Sequence, residues 1–193
     1  MKTLILDSAT NKLYVSLVID ENIVYETYTS SEKGHAKTIM VEIDNACKKA
    51  NIELINIDQV VVGIGPGSYT GVGMAVTVGK MLATMAENIK LLSISTLVLM
   101  GTGFTGKVLS TIDARRGNCF GMIYDMSSDS YVQNEALYER AVLEANSYDC
   151  KVDENEFKVD PLKVIKLSAL VDEPRTLVPN YLRDTEAERN LNA

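Results

Sequence analysis

Two short segments carry residue types suited to handling phosphate. Asp7-Ser8-Ala9-Thr10 follows one apolar run, and Gly65-Pro66-Gly67-Ser68-Tyr69-Thr70-Gly71 follows another. An acidic residue past a buried strand can hold a nucleotide's metal, hydroxyls can meet its phosphates, and N–H groups at a glycine-rich helix start can hold an anion. Asp7, Thr10, Gly65, Gly67, Ser68, Thr70 and Gly71 are therefore the candidate nucleotide- or phosphate-binding residues. Each segment also has a plain structural reading: Asp and Thr close turns by bonding to backbone groups, and a glycine turn permits close packing. The second segment is no P-loop, since no Gly-Lys-Ser/Thr follows and Lys80 comes about three turns into the next helix.

Other chemistry-bearing residues are few. Asp113-Ala114-Arg115-Arg116-Gly117 sets an acid and two guanidiniums at a strand-to-strand turn, suited to clamping a carboxylate or phosphate or to an ion pair within the fold. His35 is the single histidine, so a histidine-pair metal site is not available and no metal is expected. Its place before the first helix suits local hydrogen bonding. Cys47, Cys119 and Cys150 are widely spaced and odd in number, which indicates neither a disulfide framework nor a zinc cluster and suits a reducing cytosol. Cys119 opens an apolar run and reads as a small buried hydrophobe. No residue is assigned a catalytic role.

The elements that position these residues follow from periodicity. Residues 3–8, 13–19 and 22–29 read as strands separated by short polar turns, an antiparallel meander. Ala36, Ile39, Met40, Ile43, Ala46, Cys47 and Ala50 then recur at three- and four-residue steps, an amphipathic helix. The β-branched run 59–64 reads as a strand buried on both faces and paired in parallel with the first. A helix over 70–87, a strand over 91–94, strands over 108–112 and 119–124 and a helix over 137–146 complete the pattern. Gly101-Thr102-Gly103 marks a boundary between an N-terminal domain (1–101, completed by the C-terminal tail) and a smaller second domain (102–193). Three strands, helix, strand, helix, strand is the order of the ribonuclease-H-like half of the actin/sugar-kinase/Hsp70 superfold, an α/β class with two lobes, the second here small or truncated.

The helix over 70–87 has almost no polar face, and its small residues and methionines would suit close approach of another helix. Ile39, Met40, Ile43 and Cys47 of the first helix, with Val72, Met74, Ala75, Val76, Met81 and Met85 of the second, are the candidate partner or dimer interface. The alternative is that both helices simply cover the sheet. The chain of 193 residues has 46% hydrophobic residues, enough for a sizeable core, and a formal charge of −7. That balance disfavours direct nucleic-acid binding, which needs clustered Lys and Arg. No apolar stretch of about 18 residues is present to span a bilayer, and the N-terminal apolar run is too short for a signal peptide.

Taken in order, Asp7 to Thr10, Gly34-His35, Gly63 to Val72, Lys80, Ser95-Thr96-Leu97, Asp113 to Gly117 and Pro179-Asn180-Tyr181-Leu182-Arg183 resemble the TsaB (YeaZ) family along nearly the whole chain. Gly73 departs from that family's usual Arg, and residues 125–175 are shorter than a full second domain. The resemblance implies a cytoplasmic, non-catalytic partner in forming threonylcarbamoyladenosine in tRNA. It implies pairing of the two helices with a TsaD-type catalytic subunit or with a second copy, a homodimer when alone. A TsaE-type ATPase is the third member, and tRNA is reached only through the complex. It implies no cofactor for this chain itself, with ATP or ADP bound in the complex. The catalytic relative holds its metal through two histidines on the first long helix, where this sequence has Ile39, Met40 and Ile43. The competing readings are a stand-alone nucleotide-binding phosphotransferase or hydrolase of the same superfold, and a homodimeric module unconnected with tRNA.

Overall fold

The computed structural model describes residues 1–30, 35–86 and 88–182, with the backbone alone for 35–37. Gly34, the His35 side chain and Arg183 of the motifs above lie outside the described residues.

Strands β1 (Lys2–Asp7), β2 (Lys12–Ile19) and β3 (Asn22–Ser30) form the antiparallel meander. Helix α1 (His35–Ala50) leads to β4 (Gln59–Gly63), which pairs in parallel with β1, Leu4 opposite Val60 and Leu6 opposite Val62. Helix α2 (Tyr69–Met85) leads to β5 (Lys90–Ile94), parallel to β4. A two-residue strand from the far end of the chain, Ala169–Leu170, closes the sheet antiparallel to β5.

The alternation of side chains along each strand sorts the core into two layers. Leu4, Leu6, Leu13, Val15, Val60 and Val62 pack under Ile39, Ile43 and Cys47 of α1 and Val72, Val76 and Leu82 of α2. Ile5, Tyr14, Val18 and Val61 point the other way, onto Leu97 and Met100 of α3 (Thr96–Gly101) and onto Val108, Met122 and Tyr124. A sheet covered on both faces needs strands without a polar side, which is why β1 and β4 read as unbroken apolar runs. Each such Leu, Ile or Val contributes roughly 1.5–3 kcal/mol by leaving water.

The second sheet consists of β6 (Lys107–Asp113), β7 (Asn118–Asp125), β8 (Ser130–Glu139) and β9 (Cys150–Asp153), with β8 outermost beside β7 and β9 parallel to β6. Helix α4 (Arg140–Glu144) covers its outer face by setting Leu143 with Leu109, Cys119 and Ile123. Helix α5 (Pro161–Leu167) starts at Asp160, whose carboxylate accepts from the N–H groups of Leu162 and Lys163. With α5 placed, the strand Ala169–Leu170 is β10.

The helix expected over 137–146 is corrected. Residues up to Glu139 belong to β8, with Leu137 opposite Phe120, and only 140–144 are helical. Ala136, Leu137 and Glu139 favour a helix locally, but the ladder to β7 satisfies their backbone instead, and tertiary pairing overrides that preference.

Candidate functional site

The glycine turn is pressed against the end of β1. The Ser68 N–H donates to the Ala9 carbonyl at 2.7 Å, and the Ser8 hydroxyl donates to the Gly71 carbonyl at 2.6 Å. A side chain at Gly71 would put its Cβ 2.0 Å from the Ser8 oxygen, and one at Gly67 would fall 2.4 Å from the Ala9 oxygen. Glycine is required here because backbone meets backbone. Ser68 also caps α2, its Oγ accepting from the Gly71 N–H at 3.3 Å.

Asp7 is 3% exposed. Its Oδ1 accepts from the Ala9 N–H at 2.8 Å and its Oδ2 from the Thr96 hydroxyl at 2.7 Å, while Thr96 Oγ1 accepts from the Gly65 N–H at 3.1 Å. Burial pushes the Asp7 carboxyl up to about 6, against the pull of the bonds from Thr96 and Ala9. Thr10 Oγ1 accepts from the Lys12 N–H and donates to its carbonyl, each at 3.1 Å, closing the β1–β2 turn.

The anion reading of these residues is therefore corrected in part. The N–H groups of Gly65, Ser68 and Gly71 are committed to partners within the fold. Asp7, Thr10, Gly65 and Gly71 are buried, Gly67 is half-buried, and Ser68 and Thr70 are exposed. The two segments form a packed joint in which the groups suited to phosphate meet each other.

The interface reading divides in the same way. Ile39, Ile43, Cys47, Val72 and Val76 are buried in the upper layer and Ala75 is fully buried as well, so all six are corrected from interface to the interior. Met40, Met81 and Met85 are exposed, Met85 by 71%, and Met74 is half-exposed. On α2 the outward stripe runs Thr70, Met74, Thr77, Met81, Thr84, alternating steps of four and three residues. That is the seam spacing by which two helices pack along each other. The Thr77 hydroxyl donates to the Gly73 carbonyl at 2.6 Å and the Thr84 hydroxyl to the Lys80 carbonyl at 2.8 Å. With their oxygens turned to the helix, both threonines offer methyl groups outward, and α1 adds exposed Met40 and Val41.

Sequence reasoning missed the junction built on Glu135. This half-buried residue of β8 accepts from the Ser95 hydroxyl at 2.5 Å and from the Asn180 side-chain amide at 2.6 Å. Burial raises its carboxyl, opposed by those two bonds. The Asn180 N–H donates to the Ile64 carbonyl at 2.7 Å, and Lys80 donates to the Leu177 carbonyl at 3.0 Å. Tyr181 then stacks on Tyr69 with ring centres 4.8 Å apart. Ser95 and the segment 179–182 stood out as motif residues, but an acid in the middle of an unrecognised strand gave no sign of its partners.

Asp113 pairs with Arg140 at 3.4 Å, while Arg115 and Arg116 are exposed on a turn with φ of 64° and 54°. Cys119 is buried, and burial pushes its thiol up. A cavity of about 650 Å³ opens at the other end of β1, lined by Met1, Thr3, Val18, Leu162 and Ile165 among others, away from every motif residue. No cluster of three or more metal-binding side chains occurs among the described residues, and no helix among them is long and apolar enough to cross a membrane.

Comparison with known proteins decides the family. Residues 23–159, more than half of the chain, match the model of the TsaD family, tRNA N6-adenosine threonylcarbamoyltransferase. The chain belongs to this family. Two curated relatives of the chain are TsaB proteins, tRNA threonylcarbamoyladenosine biosynthesis proteins of Bacillus subtilis strain 168 and Escherichia coli K12. They are 29% identical over 126 residues and 27% identical over 154 residues, covering 64% and 72% of this chain. The chain spans 55% and 66% of those relatives' lengths. Two solved structures share its fold: YeaZ from Pseudomonas aeruginosa (TM-score 0.77, 18% identity) and a protein from the same organism described as similar to the peptidase YeaZ (TM-score 0.79, 19% identity). Each match covers 94% of this chain and 99% of the other. The resemblance to the TsaB (YeaZ) family holds, and so does the mixed α/β fold. The TsaB relatives therefore frame the reading of the exposed α2 stripe.

Proposed function

We propose that this chain is a non-catalytic partner subunit that binds a TsaD-type threonylcarbamoyltransferase and supports threonylcarbamoyladenosine formation in tRNA. The observation that carries the reading is the outward stripe of α2, where Met74 and Met81 alternate with threonines, Met85 is exposed beside Thr84, and the Thr77 and Thr84 hydroxyls are bonded back to their own helix. Flexible thioethers and methyl groups at seam spacing suit a partner helix. The names of the TsaB relatives support the pathway, and the charge of −7 disfavours direct contact of this chain with tRNA. In this reading the same face closes a homodimer when the chain is alone. A TsaE-type ATPase joins the complex, ATP or ADP binds there, and the assembly works in the cytoplasm.

The test mixes the purified chain with the TsaD-type protein of its own organism, with and without ATP, and follows size-exclusion chromatography with light scattering. A stoichiometric complex supports the reading. Two species that elute independently would sink it.

A further inference from the structure

The stripe on α2 does not end at the helix. Tyr69 in its first turn is 61% exposed, and Tyr181, from the other end of the chain, lies over it at 43% exposure. The Tyr181 hydroxyl reaches 3.9 Å from where a Cβ on Gly73 would stand, one turn further along α2. An aromatic pair thus extends the apolar surface of α2, and half of it comes from the strap formed by residues 177–182. Large, partly exposed tyrosines beside an apolar seam are the residue type that carries binding energy at protein interfaces.

Three hydrogen bonds among the described residues hold the strap. Lys80 fastens Leu177, the Asn180 N–H fastens to Ile64, and the Asn180 side chain fastens to Glu135. The first two are made to the first sheet and its helix. The third comes from β8 of the second sheet; like the Lys80 bond it is charge-assisted and half-buried. It acts on the residue immediately before Tyr181. Ser95 occupies the second oxygen of Glu135 and so orients the carboxylate toward the strap.

We infer that Glu135 is a positioning residue for the docking face: through Asn180 it sets Tyr181 against Tyr69, so that the second sheet controls the contact surface of α2. The inference rests on the docking function proposed above. It also gives the second sheet a role in assembly without touching the partner.

The test compares Glu135→Ala, Glu135→Gln, Asn180→Ala, Ser95→Ala and Tyr181→Ala by affinity for the TsaD-type protein and by near-ultraviolet circular dichroism. The chain has no tryptophan, so that signal is dominated by tyrosines. Glu135→Ala, Asn180→Ala and Tyr181→Ala should each weaken binding about ten-fold and change the tyrosine signal, with the melting transition still cooperative. Glu135→Gln should restore both, because its carbonyl accepts from Asn180 and its amide donates to the Ser95 oxygen. Ser95→Ala should weaken binding by less than Asn180→Ala, since the strap bond survives while the carboxylate loses the hydroxyl that orients it. If Glu135→Ala unfolds, Asn180→Ala decides from the strap side. Wild-type binding in both Asn180→Ala and Tyr181→Ala would overturn the inference. A wild-type chain that bound no partner would overturn the docking function instead, and an unchanged tyrosine signal in Asn180→Ala would then overturn the positioning role by itself.

Discussion

Thr96 donates to Asp7 at 2.7 Å, joining the end of β1 to the start of α3 across 89 positions of sequence. The oxygens of the acid so held face a hydroxyl and a backbone amide inside the fold. Its raised carboxyl, about 6 against an ordinary 3.8, makes a prediction about pH. A carboxyl raised in the folded state contributes stability that is fully present below pH 3.8 and is lost as pH rises through 6. Replacing Asp7 with Asn removes the titration and keeps both contacts, because the amide can donate to Thr96 Oγ1. Asp7→Asn should therefore gain on the wild type by about 3 kcal/mol between pH 3 and pH 7.5. Denaturant unfolding at the two pH values measures this, and a constant difference would refute it.

Thr96 itself serves two partners. Thr96→Val takes a donor from Asp7 and an acceptor from the Gly65 N–H, leaving two buried polar groups short. The expected loss is about 3 kcal/mol, most of which Thr96→Ser should recover because it keeps the hydroxyl. Chemical denaturation of the pair is the check, and equal losses would point to the methyl group instead.

The division of α2 into a core face and an outward face separates two substitutions that look alike in sequence. Met81→Glu places a charge where 39% of the residue is exposed, so the free chain should melt close to wild type while assembly is lost. Val76 is 3% exposed against the sheet, and Val76→Glu buries a charge at a cost of several kcal/mol, enough to unfold the chain. Circular dichroism melts with light scattering distinguish the two. An assembled Met81→Glu chain would remove the seam from the interface.

Much of the first sheet was legible because both of its faces are buried and its strands carry the apolar run that this demands, as in Val60-Val61-Val62. The glycine motif was legible as a turn before a helix, but its purpose was not. A glycine spaced to bind an anion and one flattened against Ser8 have the same sequence, and the close approach of Gly71 to the Ser8 carbonyl is a tertiary fact. The helical period identified the apolar positions of α1 and α2 without saying which way each faced, so Ile39 and Val76 read as contact residues beside Met40 and Met81. β8 was hidden for a related reason. As an outer strand it has a weak pattern, and Leu137 and Tyr138 gain strand geometry only from pairing with β7.

The exposure of the methionines makes a last prediction about oxidation. A thioether takes one oxygen from hydrogen peroxide, giving a polar sulfoxide and water, and the rate follows access to the sulfur. Met85, Met40 and Met81 are 71%, 41% and 39% exposed, whereas Met100, Met122 and Met126 are 0%, 0% and 2%. Dilute peroxide should oxidise the first three well before the last three, as read by peptide mass, and the folded state should survive because the core is untouched. If the outward stripe docks a partner, sulfoxides at Met81 and Met85 should weaken the complex in step with their formation. Met81→Leu combined with Met85→Leu should resist, keeping the apolar volume without the reactive sulfur. A complex that forms undiminished after both sulfurs are oxidised would remove these methionines from the interface.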